Sequence, residues 1–241
     1  VVTYDVLRES SVMPQFVAGH SLGEISAYYA ADVIDFDTGL EIVKERGRLM
    51  ASADPNGEGT MAAILGAEKD VIESVIANLS QEGPIVVAND NSLTQVVISG
   101  SKPIVEKACE ILKEKGAKRV VPLNVAGAFH SPYMDEAAEQ FATFLEGYTL
   151  KDASVPVILN RTAMPETVGE ILKSNLPLQM KSPVSWTQTM GYLGEKVDQF
   201  IECGPGRVLS GLIKKSVKDK LVSSVSTIET IQDVTVAQQA G

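Results

Sequence analysis

The stretch VAGHSLGE, residues 17–24, sets the architecture. A short apolar run ends in Gly-His-Ser-Leu-Gly, and small apolar residues follow it. That order reads as a strand, a sharp turn and the start of a helix. In G-x-S-x-G the serine stands on the turn, flanking glycines let two backbones pass closely, and the next amide can face an oxyanion. A pattern with three fixed positions arises readily by chance. Its place between a buried strand and a small-residue helix makes Ser21 a candidate nucleophile.

Working outward, residues 1–12 read as an amphipathic helix that Pro14 ends, and 15–18 as a short buried strand. Residues 22–31 and 36–53 read as helices, the second with Asp35 or Asp37 at its N-terminus, where a carboxylate suits the exposed amides. The turn cluster ADPNGEG (53–59) then marks a boundary. Beyond it come TMAAILGA, EKDVIESVIANLS, IVVANDN, TQVVISG, KPIVEKACEILKEKG and AKRVVPLNV, in the order β-α-β-β-α-β. This is the split βαβ pattern of ferredoxin-like folds. After it, strands are expected at 154–160, 198–206 and in KLVSSVS, with helices at 165–174, 186–196 and in VLSGLIKKSV. The expected fold is α/β: a hydrolase-like, mostly parallel sheet flanked by helices, residues 1–56 and 126–241, with a small ferredoxin-like subdomain, 57–125, inserted.

Composition narrows the function. Of 241 residues, 44% are hydrophobic and 22% charged, the balance of an ordinary globular protein. Aromatics are only 5%, so Val, Ile, Leu and Ala must build the core. A net charge of −10 disfavours sequence-independent nucleic-acid binding, which needs Lys and Arg against phosphates. Two distant cysteines, Cys109 and Cys203, suggest neither a zinc site nor a disulfide framework, so no metal and a reducing cytoplasm are expected. No apolar run reaches the length of a membrane span, and no signal peptide is visible.

A nucleophilic serine needs a base. The chain has two histidines. His20 adjoins Ser21 and points elsewhere on a tight turn. His130, in AGAFHSPYMD, sits at a loop-to-helix junction and is the expected partner. The acids between Ser21 and His130 fall inside the insert or on polar helix faces, which argues for a Ser–His dyad oriented by a backbone carbonyl rather than a triad. Arg46 and Arg48 share a helix two positions apart, so at most one should point inward, where it could hold a substrate carboxylate.

Six segments appear in order: GHSLGE, ERGRLM, ANDNSLTQVVISG, GAFHSPYM, Gln179 through SPVSW, and ECGPGRVLSGL. Together they resemble the acyltransferases that load malonyl groups in fatty acid and polyketide synthesis, the malonyl-CoA:acyl carrier protein transacylases. The resemblance implies Ser21 as nucleophile, His130 as base, Arg46 as the malonyl carboxylate ligand and the Leu22 amide as an oxyanion donor. It implies that the Gln179 main-chain carbonyl orients His130. Phe129, just before the histidine, implies malonyl rather than methylmalonyl selectivity. Implied partners are acyl carrier protein and a coenzyme A thioester, with no permanently bound cofactor. The family also carries a first strand and a Gly-Gln loop, source of a second oxyanion donor, one βα unit upstream of GHSLGE. Only 18 residues precede Gly19 here, so that strand is expected to be missing from this sequence. Carrier-protein docking would need local positive charge, with Lys115, Lys118 and Arg119, or Lys214, Lys215, Lys218 and Lys220, as candidates. The alternatives are a polyketide acyltransferase, a serine esterase or thioesterase, and a non-catalytic docking module.

Overall fold

The computed structural model describes residues 1–239. The chain opens with α1 (Val2–Glu9), β1 (Val17–Ala18), α2 (Leu22–Ala30) and α3 (Phe36–Ser52). Asp35 caps α3, its carboxylate accepting from the Thr38 amide at 2.8 Å. Asp54 closes the following turn by accepting from the amides of Glu58 and Gly59.

A four-stranded sheet follows: β2 (Gly59–Leu65), α4 (Lys69–Leu79), β3 (Ile85–Ser92), β4 (Gln95–Ser101), α5 (Lys102–Glu114) and β5 (Arg119–Pro122). The four strands are antiparallel in the order β3-β4-β2-β5. The apolar faces of α4 and α5, carried by Ile72, Val75, Leu79, Val105, Ala108 and Leu112, bury against Ala62, Ile64, Val96 and Ile98. This core is separate from the one around α2, α3 and the helices described next.

The chain then continues through a 3-10 turn (Pro132–Met134) into α6 (Asp135–Leu145), β6 (Val157–Ile158), β7 (Pro165–Glu166) and α7 (Gly169–Met180). It ends with α8 (Trp186–Gly194), β8 (Gln199–Cys203), α9 (Val208–Ser216), β9 (Leu221–Val225) and α10 (Ile228–Gln239). Here the structure differs from expectation in four places. Among the described residues the larger unit has two small sheets rather than one long parallel sheet. One has the order β1-β6-β7, with β1 and β6 parallel and β7 antiparallel; the other pairs β8 and β9 in parallel. β1 is only half-buried because it lies at its sheet's edge. The helix expected from residue 165 starts at Gly169: Pro165 pairs with Ile158, and the Glu166 carboxylate ties down the amides of Thr167 and Val168. That helix then runs past Pro177 to Met180. Finally, α10 packs against α1, with Leu7, Val12, Val225, Ile231 and Val234 forming a small core that sequence periodicity did not reveal.

The junction of β1 and α2 is the tightest backbone approach in the larger unit. A Cβ on Gly19 would stand 1.9 Å from the Gly23 carbonyl oxygen. Only glycine lets the strand turn so closely into the helix. Gly19→Ala should therefore cost about 2–4 kcal/mol and lower Tm by roughly 5–15 °C in a thermal melt. A melt unchanged from the parent would show that the turn can open without cost.

Candidate active site

Ser21 is the N-cap of α2, with φ 51° and ψ −104°. A non-glycine residue at positive φ is strained by roughly 1–3 kcal/mol and persists only where its surroundings hold it. The strain turns the side chain out of the helix toward His130. Ser21 Oγ and His130 Nε2 are 2.8 Å apart. His130 also has positive φ, 57°, and stands just before the 3-10 turn that leads into α6.

The tautomer of His130 follows from its other nitrogen. Nδ1 lies 3.0 Å from the carbonyl oxygens of both Gln179 and Ser182. Carbonyls only accept, so Nδ1 carries the proton and Nε2 presents a lone pair to the serine hydroxyl. The Ser21 hydroxyl donates to it. Burial pushes the imidazole down to about 4, and the positive charge of Arg46 adds to this. The hydrogen bonds to Gln179 and Ser182 act in the opposite direction. At neutral pH the ring is uncharged, the form a general base requires.

Arg46 is 5% exposed on the inner face of α3, while Arg48 points outward and pairs with Glu45 at 2.6 Å. Arg46 Nη2 donates to Ser21 Oγ at 3.1 Å and to Gln179 Oε1 at 3.0 Å. Its Nε, also buried, has no hydrogen-bond partner among the described residues. Burial lowers its pKa to about 10, and Glu24 partly opposes the shift. A cation buried beside a serine hydroxyl is placed to meet an anion on any group that the hydroxyl would carry.

The remaining residues singled out from sequence lie around this pair. The Leu22 amide is the first in α2 and has no acceptor within the helix, while its side chain is half-exposed. Phe129 is half-buried and packs against the apolar clusters of both the larger unit and the small sheet. His20 is turned away from the serine hydroxyl. Its Nε2 meets Asn91 Oδ1 at 2.7 Å and its ring lies against Trp186, with centroids 5.4 Å apart.

Three features escaped the sequence reading. The Gln179 side chain works as well as its main chain: Oε1 accepts from Arg46, and Nε2 donates to the Ser21 carbonyl at 2.9 Å. Glu24, fully buried, accepts from the Asn160 amide, Asn175 Nδ2 and Gln179 Nε2. Burial pushes its carboxyl up to about 7, against the pull of hydrogen bonds from Asn160, Gln179 and Tyr28 and of the Arg46 charge. Asn160, also fully buried, accepts from the Ser21 amide at 2.6 Å and donates to the Gly19 carbonyl at 2.6 Å. In sequence, Glu24 reads as a first-turn helix acid and Asn160 as the last residue of an expected strand. Only the parallel pairing of β1 with β6 brings Asn160 to the elbow.

No group of three or more His, Cys, Asp and Glu among the described residues could hold a metal ion. No helix there is long and apolar enough to cross a membrane.

Known proteins share this arrangement of chain. The model of the acyl transferase domain family matches residues 1–240. A malonyl CoA-acyl carrier protein transacylase of Staphylococcus aureus is 43% identical over 221 residues, covering 91% of this chain and 72% of that protein. The crystal structure of an acyl carrier protein S-malonyltransferase from Vibrio cholerae superposes with a TM-score of 0.93 at 38% identity, covering 96% of this chain and 76% of that one. A malonyl-transacylase solved with a type II polyketide synthase acyl carrier protein superposes at 0.90 with 35% identity, covering 98% and 80%. A family match over nearly the whole length, joined to relatives at this identity, settles kinship: the chain belongs to the acyl transferase family and groups with its malonyl-CoA:acyl carrier protein transacylases.

Proposed function

We propose that this chain moves a malonyl group from malonyl-CoA to the phosphopantetheine thiol of an acyl carrier protein through a malonyl-seryl enzyme. The observation that carries the reading is Arg46. Its guanidinium is buried against the Ser21 hydroxyl, and among the described residues its Nε has no partner and its Nη2 meets only neutral oxygens. A carboxylate at the far end of an acyl group on Ser21 would supply the missing acceptor and the missing charge. An esterase acting on neutral acyl groups would gain nothing from such a cation.

In this mechanism His130 Nε2 takes the Ser21 proton as Oγ attacks the thioester carbonyl. The Leu22 amide faces the developing oxyanion, and His130 returns the proton to the departing CoA thiolate. The carrier thiol then repeats the sequence in reverse at the same serine, which is ping-pong kinetics. The Gln179 carbonyl keeps the His130 proton on Nδ1, and Phe129 borders the acyl space. Serine, histidine and arginine supply the whole chemistry, so the scheme needs no bound cofactor.

The sheet order β3-β4-β2-β5 and its private core support reading residues 57–125 as a ferredoxin-like subdomain inserted into a hydrolase-like unit of 1–56 and 126–241. The working compartment in this reading is the cytoplasm. Docking would fall to exposed Lys115, Lys118 and Arg119 or to Lys214, Lys215 and Lys218; Lys220 is tied to Asp198 at 3.2 Å. The relative solved with a polyketide carrier protein makes that carrier the second acceptor to assay.

Incubation with malonyl-CoA should add one malonyl group to Ser21, seen by intact mass and peptide mapping, and Ser21→Ala should add none. Modification of another residue would refute the nucleophile. Arg46→Ala should reduce malonyl transfer roughly 10²–10³-fold while changing acetyl transfer by less than about tenfold. Equal losses would remove Arg46 from carboxylate recognition.

The pH profile tests the base. Because His130 must be neutral to act and its pKa lies near 4, labelling of Ser21 by an uncharged organophosphonate should hold from neutral pH down and fall only on approaching about pH 4. Arg46→Ala removes a neighbouring positive charge, so the acid limb should move up. A wild-type limb at the ordinary histidine value would contradict the buried, neutral ring.

A further inference from the structure

Asn160 stands two residues beyond β6, on the line along which β6 runs parallel to β1. That register carries it beside the elbow. Each of its four polar atoms has a partner. Oδ1 accepts from the Ser21 amide and Nδ2 donates to the Gly19 carbonyl, both at 2.6 Å. Its main-chain amide donates to Glu24 Oε2 at 2.9 Å, and its carbonyl accepts from the Ser185 amide at 2.8 Å. The side-chain orientation is therefore fixed, because an amide donor and a carbonyl acceptor cannot exchange places.

These bonds close a ring. It runs from the end of β1 at Gly19, through the Asn160 side chain, to Ser21, then along the first turn of α2 to Glu24 and back to Asn160. The ring encloses the one residue of the elbow held at positive φ. It also decides which amide is left for chemistry. The Gly23 amide goes to the His20 carbonyl and the Glu24 amide to the Ser21 carbonyl. With the Ser21 amide taken by Asn160, Leu22 alone of the first three α2 amides lacks a partner within the turn.

We infer that Asn160 is a positioning residue: its side-chain amide clamps the strained turn, aims Ser21 Oγ at His130 and commits the Ser21 amide so that Leu22 faces the oxyanion. It touches no reacting atom. This role rests on Ser21 being the nucleophile. Without the clamp the turn would relax toward an unstrained φ, and a shift of about 1 Å at the nucleophile can cost on the order of 10²-fold in rate.

The test compares Asn160→Ala and the isosteric Asn160→Asp with the parent and with Leu112→Ala, a cavity in the small sheet's core remote from the site. Asp keeps an acceptor for the Ser21 amide but sets an oxygen against the Gly19 carbonyl, so it carries the test if the alanine variant does not fold. The readouts are the acylation rate by malonyl-CoA, followed by rapid quench and intact mass, the KM for malonyl-CoA, and the thermal melt. Both Asn160 variants should acylate Ser21 to completion, about 10–100-fold more slowly, with KM within about twofold of the parent. Leu112→Ala should melt lower yet acylate at the parent rate. Parent-like acylation in either folded Asn160 variant would overturn the inference, as would a loss that merely tracks the melt. Malonyl found on a residue other than Ser21 in the parent protein would instead overturn the underlying reading.

Discussion

The site depends on one backbone constraint: a strand that turns into a helix across a gap too narrow for a side chain. Gly19 and the Gly23 carbonyl nearly touch, and Ser21 accepts positive φ as the consequence. The gain is directional. A serine inside a regular helix would lay its hydroxyl along the helix surface, where it could bond its own backbone. The strained turn lifts Oγ clear, to 2.8 Å from His130 Nε2 and 3.1 Å from Arg46 Nη2. Everything else in the larger unit supports that geometry. α3 brings Arg46, α7 brings Gln179, and β6 delivers Asn160.

How much of this was legible follows from what each residue needs its neighbours for. Ser21 and His130 announce themselves by chemical type: a serine in a glycine frame and one usable histidine. Helix spacing allows only one of Arg46 and Arg48 to point inward, and the family resemblance is what singles out Arg46. Helices α2 and α3 follow from their apolar spacing and from the Asp35 cap. Asn160 and Glu24 carry no such signal, because their partners are up to 155 residues away and an Asn at a strand end has many uses. The misread stretch near Pro165 has the same cause. Its β7 exists through pairing with β6, a tertiary contact, whereas its local composition suits a helix as well. The C-terminal α10 was missed because its apolar face is narrow and finds its partner at the other end of the chain, on α1.

Arg46 and Glu24 share the buried site without touching. They act on each other across the Gln179 amide, whose oxygen meets the guanidinium and whose nitrogen meets the Glu24 carboxyl. A direct bridge would satisfy both groups. Interposing a neutral amide keeps the Glu24 carboxyl near enough to favour a buried cation and far enough to leave Arg46 Nε without a partner among the described residues. The same amide also holds the Ser21 carbonyl, so the residue that tunes Arg46 steadies the Ser21 turn as well.

That arrangement explains why carbonyls rather than a carboxylate orient His130. In a Ser-His-Asp triad an anion stabilises the imidazolium that forms during attack. Here an anion at the position of the Gln179 and Ser182 carbonyls would act on Arg46, whose charge already reaches His130, and in the proposed mechanism it would compete with the acyl carboxylate. Two main-chain carbonyls fix the tautomer with partial charge only. The cost is a base held down near 4 by burial and by Arg46, hence a weaker proton acceptor. An activated thioester tolerates a weaker base better than an amide would, since a thiolate is a good leaving group. In the proposed mechanism the Ser21–His130 pair thus gives up basicity to keep Arg46 free for the acyl group's own carboxylate.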